Sequence, residues 1–250
     1  MNILYTNFHR EDGGGHTTYI LSLLENSVHN TFVACPPTSM LYRILQERGY
    51  ANLIAMEFPG KPKQMREIVK NALILRRAIM EHDIDIVHTN GSPDNRMALY
   101  VSLVTRKKFK VVFTKHNTIT IKNAVSRWRL HKFNAATIFV GDFLDYLGLD
   151  KHNPRFHVIP NCIDLGYWQR ESPPETGQRL TLISNAGASR HKGWQHLMEA
   201  IAGLSEDEKN RLSVVLLARH EPEMARELAE AGGICEFHFP GFLNDARPWL

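Results

Sequence analysis

Four short clusters carry residue types that can hold or polarise a ligand. Gly13-Gly14-Gly15-His16, with Thr17 and Thr18 after it, stands between an apolar strand-like run and a helical pattern. Glycines let the backbone approach a ligand closely. A helix start adds unpaired N–H groups and the positive end of a dipole, so this segment suits an anion. Three glycines also exceed what a plain turn needs, and His16 is grouped with them as a binding residue. His88-Thr89-Asn90 and Lys115-His116-Asn117-Thr118 each end a predicted strand. In open α/β sheets the ligand crevice lies beyond the carboxyl ends of the strands, which makes Asn90 and His116 candidate site residues and leaves capping or turn chemistry as the plainer alternative. Ser189-Arg190-His191-Lys192-Gly193-Trp194 follows a strand in the second half of the chain and opens a helix. A lysine and helix N-terminal amides converge there, which in outline is a diphosphate site.

Other clusters point away from chemistry. Asp83-Ile84-Asp85 has the look of a metal pair but precedes a strand, where it would not face the crevice, so it reads as turn and strand-start residues. The pairs His152/His157 and His191/His196 lack both the i, i+4 spacing and a third ligand for zinc. No metal is implied. The glycine loop is not Gly-x-Gly-x-x-Gly, and the second strand ends in Ala34-Cys35-Pro36 with no acid for a ribose, which disfavours a nicotinamide dehydrogenase. Neither Gly-x-Ser-x-Gly nor a Gly-Lys-Ser/Thr loop occurs, which disfavours an α/β-hydrolase and a P-loop ATPase.

The elements that must position these clusters alternate along nearly the whole chain. Strands are expected at residues 2–8, 31–35, 84–88, 110–114, 136–140 and 156–159, with helices at 17–26, 40–48, 64–82, 95–105, 124–133 and 142–149 between them. Short apolar strands with helical crossovers mean a mostly parallel α/β sheet. Residues 171–178 are polar and carry Pro173-Pro174 and Gly177, a linker. Alternation then restarts, with strands at 180–184, 212–217 and 234–238 and helices at 193–204 and 222–231. The domains are therefore read as 1–170, a Rossmann-like unit, and 179–250, an incomplete Rossmann-like unit of three strands and two helices. The second is half of a doubly wound domain, and the expectation is a chain cut short.

Composition narrows the class further. Of 250 residues, 43% are hydrophobic and 22% charged, which excludes disorder as the main state. No apolar run reaches the roughly 18 residues of a membrane span; the longest, at 72–80, is interrupted by Arg76 and Arg77. The N-terminal run lacks the basic and long apolar regions of a secretory signal. Cys35, Cys162 and Cys235 are odd in number and far apart, which suits a reducing cytosol. Net charge is only +4, but residues 61–132 hold sixteen Lys/Arg against five Asp/Glu, a local +11 on a chain that is otherwise −7. Such a field attracts phosphates. Arg127, Trp128, Arg129, Lys132 and Phe133 fit either solvated helix faces or a patch docking on anionic headgroups. A nucleic-acid groove is disfavoured, since no recognition motif accompanies the charge.

Taken in order, these pieces resemble retaining glycosyltransferases of the GT-B fold, the family-4 type. The first strand and glycine loop resemble that family's first βα turn. Asp85-Ile86-Val87-His88 resembles its Asp-Ile-Val-His strand, and Phe113-Thr114-Lys115-His116 lies where the family has a His near the donor sugar. Ile159-Pro160-Asn161-Cys162-Ile163-Asp164 resembles Ile-Pro-Asn-Gly-Val-Asp, which adds Asn161 as a binding residue. Lys192-Gly193 with Leu197, Ala200 and Ile201 resembles Lys-Gly-x-x-x-Leu-x-x-Ala-Ile. Three departures stand out. Cys162 replaces the usual Gly, and Asn185-Ala186-Gly187 replaces Gly-Arg, leaving Arg190 as the substitute second cation. The family's Glu-x7-Glu segment falls beyond residue 250.

The resemblance implies two Rossmann-like units with a UDP- or GDP-linked sugar in the cleft between them, mainly against the C-terminal one, and no cofactor or metal. Lys192 and Arg190 would stabilise the leaving diphosphate, and His116 would contact the donor sugar. Gly13, Gly14, Gly15, His16, Asn90, Asn161 and Gly193 would complete the donor site. The acceptor would be a saccharide or a lipid-linked saccharide in cell-surface polysaccharide or lipopolysaccharide synthesis, met by the basic first unit at the cytoplasmic face of the inner membrane. Two competing readings are a non-catalytic remnant that binds a partner or membrane surface and, further off, a nucleotide-sugar epimerase of similar fold.

Overall fold

The computed structural model describes residues 1–11, 14–121, 123–169, 179–185, 192–218, 225–233, 236–241, 243 and 246–249. The segment 171–178, Gly13 and Arg190 therefore lie outside the described residues. The chain divides into two compact units, Met1–Cys162 and Ile163–Leu250.

The first unit is built on seven parallel strands: β1 (Asn2–Thr6), β2 (Asn30–Cys35), β3 (Leu53–Ala55), β4 (Ile86–Thr89), β5 (Lys110–Lys115), β6 (Ala136–Phe139) and β7 (Phe156–Val158), in the order β3-β2-β1-β4-β5-β6-β7. The order reverses between β1 and β4, which pair in register from Ile3 with Ile86 to Thr6 with Thr89. Crossovers run through α1 (Gly15–Glu25), α2 (Met40–Glu47), α3 (Met65–Glu81) and α4 (Ser92–Val104). Side chains alternate across a strand, and the core follows that period of two. Ile3 and Tyr5 pack with Ile20, Val33, Leu41 and Leu45 on one face. Leu4, Val87 and Val111 pack with Leu75, Ile79, Met97 and Val101 on the other. A parallel sheet covered on both faces needs apolar residues at nearly every strand position, as these strands have.

Among its described residues the second unit holds three parallel strands, β8 (Leu180–Asn185), β9 (Leu212–Leu217) and β10 (Glu236–His238), in the order β10-β9-β8. Its helices are α6 (Leu165–Trp168), α7 (Trp194–Ala202), α8 (Glu206–Lys209) and α9 (Ala225–Ala231), following α5 (Ala124–Trp128) of the first unit. Trp194, Met198 and Ile201 of α7 pack on Leu212, Val214 and Leu216.

Three local expectations are corrected, and one strand lies where none is expected. The strand β3 is three residues long and half-buried, too short for a period to register. The helix α4 begins at Ser92, three residues before the expected 95, with Pro93 and Asp94 in its first turn. The expected helix at 124–133 is α5 followed by a π-helix, Arg129–Phe133, in which the Asn134 N–H reaches the Arg129 carbonyl at 2.9 Å. The expected helix at 142–149 is a single turn, so Asp142 and Asp145 decorate a turn. Gly148 adopts φ +61°, its N–H bonds to the Asp145 carbonyl at 3.0 Å, and the Leu149 N–H bonds to that of Leu144 at 3.0 Å. That pair of bonds is the left-handed glycine cap that closes a helix. The apolar spacing of Leu144, Leu147 and Leu149 serves a local core with Phe139 and Phe156.

Asp83 adopts φ +48° after the end of α3, with the Ile84 N–H bonded to the Ile79 carbonyl at 3.0 Å. Asp85 accepts the Asn2 backbone N–H at 2.9 Å, and Asp83 is paired with Lys107. Both acids hold the amino-terminal edge of the sheet together, opposite the crevice.

Candidate functional site

At the carboxyl end of the sheet, where strand order reverses, lies a cavity of about 520 Å³ within the first unit, lined among others by Phe8, His16, Asn90, Lys115, His116 and Arg129. That volume falls in the range of about 300–1,000 Å³ that suits small ligands. The place is the one the topology dictates, because helices leave β1 and β4 toward opposite faces and open a crevice between them.

Its base is a buried polar network. Asp94, in the first turn of α4, accepts the Asn90 backbone N–H at 2.8 Å and the Thr6 hydroxyl at 2.6 Å. It thereby ties the ends of β1 and β4 to the helix start. Complete burial raises its carboxyl to about 7, against the lowering effect of those bonds. Gly91 between them cannot be replaced without movement: a side chain there would begin 2.1 Å from the Phe8 ring. Asn95 donates to Thr89 at 3.1 Å and to Asn134 at 2.9 Å, extending the network toward β6.

Above it sits a histidine cluster. The rings of His16 and His116 are 4.1 Å apart and those of His9 and His16 4.4 Å apart, centroid to centroid. Asn90 donates its amide to the Thr6 carbonyl at 3.0 Å, so its own oxygen faces His116 Nε2, 3.0 Å away. That geometry makes Nε2 the protonated nitrogen and leaves Nδ1 with a lone pair. Burial, then the neighbouring His88 and His9, lowers His116 to about 4. Burial, then His116 and His9, lowers His16 to about 3. Both rings are neutral near pH 7, suited to hydrogen-bonding with hydroxyls rather than to holding charge. His88 bonds to the Thr114 hydroxyl at 2.7 Å and is lowered by burial to about 4.

Among the residues singled out from sequence, His16, Asn90 and His116 are thus brought together, and Gly14 and Gly15 adjoin them at the start of α1. Gly14 takes φ +46°, a conformation that favours glycine, whereas a side chain at Gly15 would meet no atom within 4 Å. Asn161 lies on an exposed segment after β7 and is not among the residues that line the cavity. In the second unit Lys192 is exposed, and Gly193 caps α7 in the left-handed conformation at φ +73°. Trp194, 3% exposed, anchors that turn in the core behind it.

Arg129 was grouped by sequence with surface charge, but only 4% of it is exposed. It donates to the Ser92 carbonyl at 3.3 Å, the Ser92 hydroxyl at 3.2 Å and the Ser126 hydroxyl at 3.0 Å. Nothing local announces this, since Ser92 is far away in sequence. Asp94 was also missed, although Ser92-Pro93-Asp94 is a recognisable helix start. Among the described residues, no group of three or more His, Cys, Asp or Glu side chains is placed to hold a metal ion, and no helix is long and apolar enough to cross a membrane.

Residues 13–167 match Glycosyltransferase Family 4, and the chain belongs to that family. Its fold is that of GT-B glycosyltransferases. Anabaena HepE in complex with UDP aligns at TM-score 0.76 and 14% identity, over 100% of this chain and 71% of that one. HepE has also been solved with UDP and glucose. A glycosyltransferase from Rickettsia africae aligns at TM-score 0.71 and 15% identity, over 99% and 70%. The lipopolysaccharide outer core galactosyltransferase WaaB aligns at TM-score 0.70 and 13% identity, over 100% and 70%. No curated protein sequence matches the chain.

Proposed function

We propose that this protein transfers a sugar from a nucleotide-diphosphate donor to a saccharide or lipid-linked acceptor, with retention of the anomeric configuration, in the synthesis of a cell-surface polysaccharide or lipopolysaccharide. The observation that carries the reading is the neutral His116, oriented through Asn90 beside His16 and the glycine-led start of α1, in a member of this family. His116 meets hydroxyls of the donor sugar. Lys192 and the amides at the start of α7 take the diphosphate and stabilise the charge that grows on it as the sugar leaves, where fixed positive groups help most. The chemistry asked of the chain is binding, orientation and charge stabilisation. HepE with UDP and WaaB as a lipopolysaccharide galactosyltransferase support this substrate class. Docking on an anionic membrane face belongs to the same proposal, supported by the basic stretch and by exposed Ile119, Val125 and Trp128.

Calorimetric titration with UDP and GDP tests the donor site. One of the two binds, and Lys192→Ala weakens it. If neither binds the folded chain, the reading fails.

A further inference from the structure

We infer that the cavity of the first unit takes an acceptor bearing an oxyanion, held by Arg129 and Lys115. This rests on the transferase reading above and names the substrate class of that cavity.

Both cations line the cavity, with Arg129 4% and Lys115 7% exposed. A buried charge is expensive unless something of opposite sign answers it. Among the described residues Arg129 hydrogen-bonds only to neutral oxygens, those of Ser92 and Ser126, and its buried Nε has no hydrogen-bond partner. Lys115 donates to the Asn117 side-chain oxygen and the Ile119 carbonyl, each at 2.9 Å, and keeps a third N–H. Among the described residues, no carboxylate lies within ion-pair distance of either. The nearby acid, Asp94, is bound to Thr6 and Asn90, and its burial keeps it partly protonated near pH 7. Arg96 adds a further positive neighbour to Arg129, a larger influence than the favourable pull of either Tyr100 or Asp94. Burial, the main cause, lowers both Arg129 and Lys115.

Three hydrogen bonds leave part of this guanidinium's five N–H groups unused, in a residue that lines a cavity large enough for a small ligand. Arginine pairs best with phosphate or carboxylate through two donors at once. The phosphate of a sugar phosphate and the carboxylate of an acidic sugar share this chemistry.

The test is calorimetric titration of the 250-residue chain with glucose 6-phosphate, glucuronate and glucose, with UDP or GDP as the second-unit control. At least one anionic sugar is expected to bind roughly tenfold or more tighter than glucose, and which one does identifies the anion. Arg129→Gln should erase that preference and leave nucleotide binding intact. Lys192→Ala should do the reverse. Equal binding of all three sugars to the wild-type chain, or an anion preference that survives Arg129→Gln and Lys115→Gln, overturns the inference while leaving nucleotide binding to judge the transferase reading. An anion preference lost in Lys192→Ala but kept in Arg129→Gln overturns it as well. If Arg129→Gln does not fold, Lys115→Gln and the wild-type selectivity decide.

Discussion

Arg129 in the first unit and Lys192 in the second are both proposed to meet anions, and they are built in opposite ways. Arg129 is buried and held by two serines from separate helical segments. Lys192 is exposed, on a turn whose shape is set by the left-handed Gly193 and by the buried Trp194 after it. A buried cation is positioned in advance and little screened, so it can choose among ligands. An exposed lysine on a helix start is more strongly screened, so it serves a ligand delivered by other contacts. Selectivity is therefore expected from the first unit and charge stabilisation from the second.

The largest expected effect is on turnover. Lys192→Ala should lower sugar transfer by roughly 10²–10³, comparable to losing one fixed charge-stabilising donor. Unchanged turnover would remove the contrast between the two cations. Raising ionic strength sharpens it: nucleotide binding dependent on Lys192 should weaken more between low and high salt than binding dependent on Arg129, because screening acts on exposed charges. Titrations at two salt concentrations measure this directly.

Next in size is the packing beneath the cavity. Gly91→Ala sets a side chain against the Phe8 ring and should cost about 1–3 kcal/mol in urea denaturation. Gly15→Ala, facing open space, should fold as the parent does.

Smaller still is a pH effect. His16, His88 and His116 are lowered from 6.5 to about 3, 4 and 4. Below 6.5 the unfolded chain therefore binds protons that the folded chain refuses, and stability falls as pH drops from 6.5 toward 4. Asp94, raised from 3.8 to about 7, acts in the opposite sense over the same window, since there the folded chain binds the extra proton. Three histidines outweigh one acid, so the unfolding free energy should rise between about pH 4 and 6.5. Asp94→Asn should steepen that rise; a flat profile in both proteins would mean that the rings are not shielded as described.

How much was legible in the sequence follows from range. The strand carrying His88 and the strand ending just before His116 could be read because parallel β/α alternation leaves strong apolar runs, and the rule that ligands gather at their carboxyl ends then picked out Asn90 and His116. Gly193 was legible as a helix start for the same local reason. The burial of Arg129 was not, because it depends on Ser92 of a different helix and on a π-turn that no spacing reveals. The segment 142–149 misled because one helical turn and a full helix share their first apolar positions, and only Gly148 marks the difference. The network at Asp94 joins residues more than eighty positions apart, Thr6 among them.

That separation has a consequence for dynamics. The cavity is assembled from the tails of β1, β4 and β5, the start of α4 and the π-helix, so none of its walls survives if one of these segments peels away. A bound ligand then favours only the fully assembled first unit, and its binding energy is felt as resistance to cooperative opening of the whole sheet. In hydrogen exchange, amides of those three strands should slow together when the cavity is filled, while the ends of α2 and α3 keep their own pace.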